Sequence, residues 1–87
     1  MKHTCPCCGY KTLEEKPPGT YEICNICSWE DDDVQYRDPH YEGGANEVSL
    51  KQAQQNFIKF RACDEGSIIF VRKVNIDDIK DPHWQPL

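Results

Sequence analysis

The chain has 87 residues, 38% of them hydrophobic, and a formal net charge of −5. That is the size of one small domain whose apolar core alone is marginal, because so short a chain buries only about two-thirds of its unfolded surface. The acidic balance disfavours nucleic-acid binding, which rests on Lys and Arg neutralising phosphates, and no apolar run is long enough to cross a bilayer.

The charge is unevenly placed. Residues 1–45 carry four Lys/Arg against nine Asp/Glu, whereas residues 46–87 carry six of each, so the whole excess of −5 lies in the first half. Met1-Lys2-His3-Thr4 leads directly into cysteines, without the apolar stretch of an export signal. The expectation is a cytoplasmic protein, in which paired cysteines read as metal ligands before disulfides. Residues 1–87 read as a single domain in three segments: a cysteine unit (1–29), an acidic loop (30–46) and a helix–strand–tail unit (47–87).

In the first segment, Cys5-x-x-Cys8 and Cys24-x-x-Cys27 are separated by fifteen residues. Four thiolates at this spacing can close a tetrahedral shell around one metal ion. Lys11-Thr12-Leu13 and Thr20-Tyr21-Glu22-Ile23 read as short strands joined through Pro17-Pro18-Gly19, a hairpin that would bring the two pairs together. Gly9 follows Cys8 where a tight turn calls for positive φ. Ser28 holds the matching place after Cys27, which predicts a second turn that is less demanding or differently shaped.

The metal assigned to Cys5, Cys8, Cys24 and Cys27 is a single structural Zn²⁺, with iron in the same cage as the alternative. A filled four-sulfur shell leaves no position for a reacting water. Cys7 reads as a thiol beside the metal, open to a lowered pKa. Cys63 reads as a small buried hydrophobe. His3 is near enough to be a spare ligand, and His40 and His83 are scattered.

In the second segment, Glu30-Asp31-Asp32-Asp33 follows Trp29 directly. A solvated acidic loop is one reading. The other is a docking surface for a basic protein, made of Trp29, Glu30, Asp31, Asp32, Asp33 and Tyr36, since aromatics beside charges suit interface hot spots. Gly43-Gly44 reads as turn chemistry. In the third segment, Ser49 as N-cap and Gln52 three residues on predict a helix over 49–62 with a capping box. Leu50, Ala53, Phe57 and Phe60 would form its buried face and Lys51, Gln54, Gln55 and Lys59 its outer one. Ser67–Val74 is rich in β-branched and aromatic residues and predicts a strand covered on both sides. The tail from Asn75 reads as irregular, held by Trp84. The fold class that follows is α+β: an N-terminal zinc-ribbon hairpin packed beside a helix and a C-terminal strand.

Cys5-Pro6-Cys7-Cys8-Gly9-Tyr10, Pro18-Gly19-Thr20-Tyr21-Glu22-Ile23-Cys24, Trp29-Glu30-Asp31-Asp32, Gly43-Gly44-Ala45-Asn46 and Ser49-Leu50 together resemble the cysteine-rich CPCC family of small bacterial proteins. The resemblance spans residues 4–62, and Trp84-Gln85-Pro86-Leu87 is compatible with the family's usual ending. It implies a zinc-ribbon-like domain with Cys5, Cys8, Cys24 and Cys27 at the ligand positions, and it supplies no catalytic residue. Asn25-Ile26 departs from the Pro-Val often found inside the second pair.

No phosphate loop, nucleophile–base pair or carboxylate dyad emerges, so no enzyme is expected. The function expected is a small zinc-binding protein-interaction domain, in concrete form an immunity or antitoxin protein that neutralises a basic, nuclease-like toxin. The alternatives are a zinc-ribbon nucleic-acid binder using Lys11, Lys16, Arg37 and Tyr10, and a thiol redox protein using Cys7.

Overall fold

The computed structural model describes residues 1–87, and its organisation starts from the two cysteine pairs. Each pair reverses the chain by the same hydrogen bonds. Gly9 N–H donates to the Cys5 carbonyl at 2.9 Å, and Cys5 N–H donates to that of Tyr10 at 2.9 Å. In the second pair Ser28 N–H donates to Cys24 at 2.7 Å, and Cys24 N–H donates to Trp29 at 2.9 Å. Gly9 and Ser28 both adopt left-handed backbone, with φ of 81° and 70°. The expected difference between the turns is therefore absent: Ser28 carries a side chain through the same conformation that Gly9 adopts without penalty.

Because each turn already sets its flanks antiparallel, each knuckle sits at the tip of its own hairpin. β1 (His3–Thr4) pairs with β2 (Lys11–Leu13) around the first knuckle. Around the second, Ile23 bridges Glu30, while Tyr21 N–H reaches the Asp31 carbonyl and Asp31 N–H that of Glu22. The anticipated hairpin between 11–13 and 20–23 does not form, and Thr20–Ile23 is no strand. The Glu22 carboxylate instead caps the link, accepting from Glu14 N–H at 2.9 Å and Glu15 N–H at 3.3 Å.

The acidic segment holds a short helix, α1 (Asp33–Arg37), and the predicted helix follows as α2 (Leu50–Phe60). Ser49 caps α2 by accepting from Gln52 N–H at 3.1 Å. The capping box is only half made, because the Gln52 side chain turns to Asn56. Arg61 ends the helix in left-handed backbone. Leu50, Ala53 and Phe57 are buried as expected, and Phe60 is partly exposed. Gln54, assigned to the outer face, is buried instead. Its Nε2 donates to the Pro6 carbonyl at 2.9 Å and its Oε1 accepts from Leu87 N–H at 2.8 Å. A polar residue inside the stripe thus fastens the helix to the first knuckle and to the chain end.

The C-terminal strand is the main correction. Ser67–Val74 forms no strand: Glu65–Phe70 is a 3₁₀ helix capped by Asp64, and the chain beyond it, extended at Val71, joins no ladder. β-propensity expresses fit to a pleated, half-buried surface, and the only sheet here has two short strands with no edge beside this run. Ile68, Ile69 and Phe70 are consequently exposed rather than covered. The tail runs back along the first hairpin, where Lys11 N–H donates to Ile79 and Asp81 N–H to Gly9. Trp84 clamps it, its indole N–H 2.9 Å from the Pro6 carbonyl. The ring covers Gly9 so closely that a Cβ there would lie 2.5 Å from it. The result is an α+β fold whose continuous core is both knuckles, Leu13, Trp29 and the inner face of α2.

Candidate metal centre

The two hairpins and α2 press four thiols into one buried cluster. The Sγ atoms of Cys5, Cys8, Cys24 and Cys27 all lie within 4.8 Å of one another. Cys5 and Cys27 are 3.6 Å apart and Cys8 and Cys24 3.8 Å. A tetrahedron with metal–sulfur bonds of about 2.3 Å has edges of about 3.8 Å, so these separations fit one ion. They are far beyond the ~2.05 Å of a disulfide bond, and all six cysteines are free.

The electrostatics agree with the geometry. Hydrogen bonds from Cys27, Cys5 and Cys8, in that order, stabilise a thiolate on Cys24 and lower its pKa. Burial pushes the thiols of Cys5 and Cys27 well up. A buried pocket can therefore hold one thiolate among thiol neighbours, but four only if a cation replaces the lost solvation. Two donors outside the quartet support the sulfurs: Thr12 Oγ1 donates to Cys24 Sγ at 3.0 Å and Trp29 N–H to Cys27 Sγ at 3.5 Å. Sequence reasoning did not single out Thr12. Its place in β2 one residue before buried Leu13 carried no chemical signature.

Cys7 is fully buried beside the cluster, and burial raises its pKa rather than lowering it. Cys63 is buried as expected and its N–H donates to the Cys27 carbonyl at 2.8 Å. Burial pushes its thiol up to about 12. His3 lies in β1 and is not among the residues gathered at the cluster, and His40 and His83 are exposed at other turns.

The structure divides the six residues proposed as a docking face. Trp29, Asp31 and Asp32 are buried, at 0%, 0% and 8% exposure, and cannot present themselves to a partner. Asp31 Oδ2 accepts from Thr20 N–H at 2.9 Å and from Thr20 Oγ1 at 2.7 Å. Asp32 caps α1 by accepting from Gln35 N–H at 3.0 Å, and its other oxygen accepts from Ala45 N–H at 2.9 Å. Burial works against the Asp32 carboxylate, but its backbone N–H donors outweigh burial and lower its pKa. These acids are therefore ties rather than a solvated run, because a carboxylate is the acceptor best able to satisfy several backbone donors. Glu30 and Asp33 are half-buried and Tyr36 is exposed.

Gly43-Gly44 is part of the same network. A Cβ at Gly44 would fall 2.8 Å from Asp32 Oδ2 and 2.9 Å from Gln35 Cδ, so the loop closes over these residues only with glycine there. Asn46 Nδ2 joins Gln35 Oε1 at 2.9 Å and the Glu30 carbonyl at 2.8 Å. The basic residues expected of a nucleic-acid face are dispersed. Lys11 and Lys16 line separate clefts, Arg37 pairs with Asp33 at 2.7 Å, and Tyr10 packs edge-on to Phe57.

Two hairpin knuckles presenting four buried thiols, braced by a helix, define a small metal-binding domain. The sequence agrees: the family model for cysteine-rich CPCC proteins matches residues 3–78. The chain belongs to the cysteine-rich CPCC family. No curated protein matches it. No helix is long and apolar enough to cross a membrane.

Proposed function

We propose that the quartet holds one structural Zn²⁺ and that the domain works by binding another protein, without catalysis. The observation that supports this most is the burial of the site: four ligands at 0–1% exposure surround the position of the ion, so nothing reaches it to be activated. A metal so enclosed supplies folding free energy, and activity falls to the surface. Zinc suits the set because a closed, tetrahedral, all-thiolate shell is its usual structural site.

The partner we favour is a basic protein, in concrete form a nuclease-like toxin that this cytoplasmic protein would mask as its immunity protein. With Trp29, Asp31 and Asp32 inside the fold, the face offered is the outer side of α1 and the loop after it. Asp33, Asp38 and Glu42 stand there beside the exposed rings of Tyr36 and Tyr41. Acidic groups around aromatic anchors would steer and hold a cationic surface. The test is titration calorimetry against a purified cationic bacterial nuclease toxin domain at about 50 and about 300 mM salt, where screening separates steering from contact. Tyr36→Ala together with Asp38→Asn should weaken binding at both salts while leaving zinc content at one equivalent. Unchanged affinity would remove this face from the reading.

A further inference from the structure

We propose that the groove between α2 and the chain after the 3₁₀ helix docks an acidic, apolar-anchored polypeptide segment of a partner protein. This site is separate from the acidic face of α1 and opposite to it in charge. The groove holds about 520 Å³ and its floor is apolar, with Ile26, Phe57, Phe60, Ile68 and Val71 among its walls. Every charged residue lining it is cationic: Arg61, Arg72 and Lys73. In a chain of net charge −5, a groove lined by three cations and no acid is a local reversal of sign. Arg72 is engaged by Asp78 at 2.7 Å, and Arg61 lies 4.3 Å from the centre of the Phe57 ring. Neither Arg61 nor Lys73 belongs to an ion pair, and Lys73 is exposed. An occupant with carboxylates beside its apolar side chains would meet these charges.

Two further observations favour a polypeptide over a small amphiphile. Ile69 and Phe70, which follow Ile68 of the groove wall in the chain, are 82% and 73% exposed, and Phe70 lines a neighbouring cleft, more apolar surface than one small ligand in the groove would cover. The adjoining backbone is extended at Val71 and joins no ladder: Arg72 N–H reaches the Asn25 carbonyl at 3.3 Å and the Lys73 carbonyl accepts from the Arg72 guanidinium at 3.0 Å, while the Lys73 N–H and both backbone groups of Val74 make no hydrogen bond within the fold. Unengaged backbone groups beside an apolar groove can give a polypeptide main-chain hydrogen bonds that a small amphiphile does not match. A second copy of this chain would set Arg61 and Lys73 against their own equivalents, so charge favours a different, acidic partner.

The probe is a fluorescein-labelled peptide of about ten residues alternating Phe or Leu with Glu, the period of a strand. It is titrated by anisotropy into the zinc-loaded full chain, with the same peptide carrying Lys in place of Glu as control. The Glu peptide should bind, salt-sensitively, and the Lys peptide should not. Lys73→Glu, at an exposed position in no ion pair, should weaken binding about tenfold, as loss of a rim contact and its inversion allow. Ile69→Asp should do the same, with thermal midpoint and zinc content confirming that both variants fold. Equal binding of the two peptides, or unchanged affinity in Lys73→Glu, would overturn the proposal. So would a dimer in sedimentation that Ile69→Asp dissolves, which would make the occupant a second copy, or displacement of the peptide by equimolar oleate, which would make it a lipid.

Discussion

The two halves of this molecule invert what their compositions suggest. Residues 1–46 are polar and acidic, yet they supply eight of the thirteen buried hydrophobic residues, four of them the sulfurs of the cluster. Asp31, Asp32, Gln35 and Asn46 are buried there as well. Residues 47–87 hold the longer apolar runs, yet Ile58, Ile68, Ile69, Phe70, Ile76 and Ile79 all face outward. The difference lies in what each half has to organise it. A buried four-cysteine cluster and hydrogen-bonded carboxylates hold the first half from inside, so it needs little hydrophobic area. The second half has one eleven-residue helix and no sheet, so its longest apolar run, at residues 68–71, is left largely uncovered. Apolar content is a supply of potential core, and only a neighbouring surface turns it into one.

The strongest way to break this comparison is to remove the metal. Structural zinc contributes about 10–16 kcal/mol in small peptides, comparable to or greater than the whole stability of a typical domain. Cys24→Ser, or treatment with a tight chelator, should therefore abolish the cooperative thermal transition seen by near-ultraviolet circular dichroism. The second half should melt with the first, because the inner face of α2 packs on the knuckles. A chelated protein that kept its transition would show that the sulfurs are not what organises the first half.

Phe57 is the point where the apolar half does contribute core. It is 3% exposed and meets Tyr10 with ring centres 6.5 Å apart. Phe57→Ala should cost about 3–5 kcal/mol in urea unfolding, while Ile69→Ala, at 82% exposure, should stay within about 0.5 kcal/mol. Equal costs would mean that the exposed ridge is covered in solution.

A smaller contrast separates neighbouring acids. Asp32 caps α1 and ties down Ala45, whereas Asp33 is half-exposed and pairs only with Arg37. Asp32→Ala should lose about 1–2 kcal/mol, the range for a helix cap, and Asp33→Asn about 0.5 kcal/mol or less. The smallest effect has the opposite sign. Ser28 occupies left-handed backbone at φ 70°, so Ser28→Gly should raise stability by about 0.5–1 kcal/mol, the strain relieved less the added freedom of the unfolded chain. Gly9→Ala should instead destabilise, since its Cβ would meet the Trp84 ring at 2.5 Å.

What the chain determines by itself is local. The four ligand positions follow from cysteine spacing, since a Cys-x-x-Cys turn closes through hydrogen bonds among its own residues. The start of α2 follows from Ser49, whose hydroxyl needs only the N–H three residues on. Gly9 follows from the sign of φ that the knuckle turn imposes. Tertiary structure decided the rest. Asp31 and Asp32 became internal ties because Thr20 and Ala45, eleven and thirteen residues away, brought them backbone donors that no local pattern announces. Gln54 turned inward because the Pro6 carbonyl and the Leu87 N–H, at opposite ends of the chain, met on one side of α2. Ser67–Val74 has the composition of a strand and is not one, because a strand is a property of two segments and no edge lies beside this one. Spacing can specify contacts that close within a few residues, whereas the fate of a polar or β-rich segment depends on which distant groups arrive to meet it.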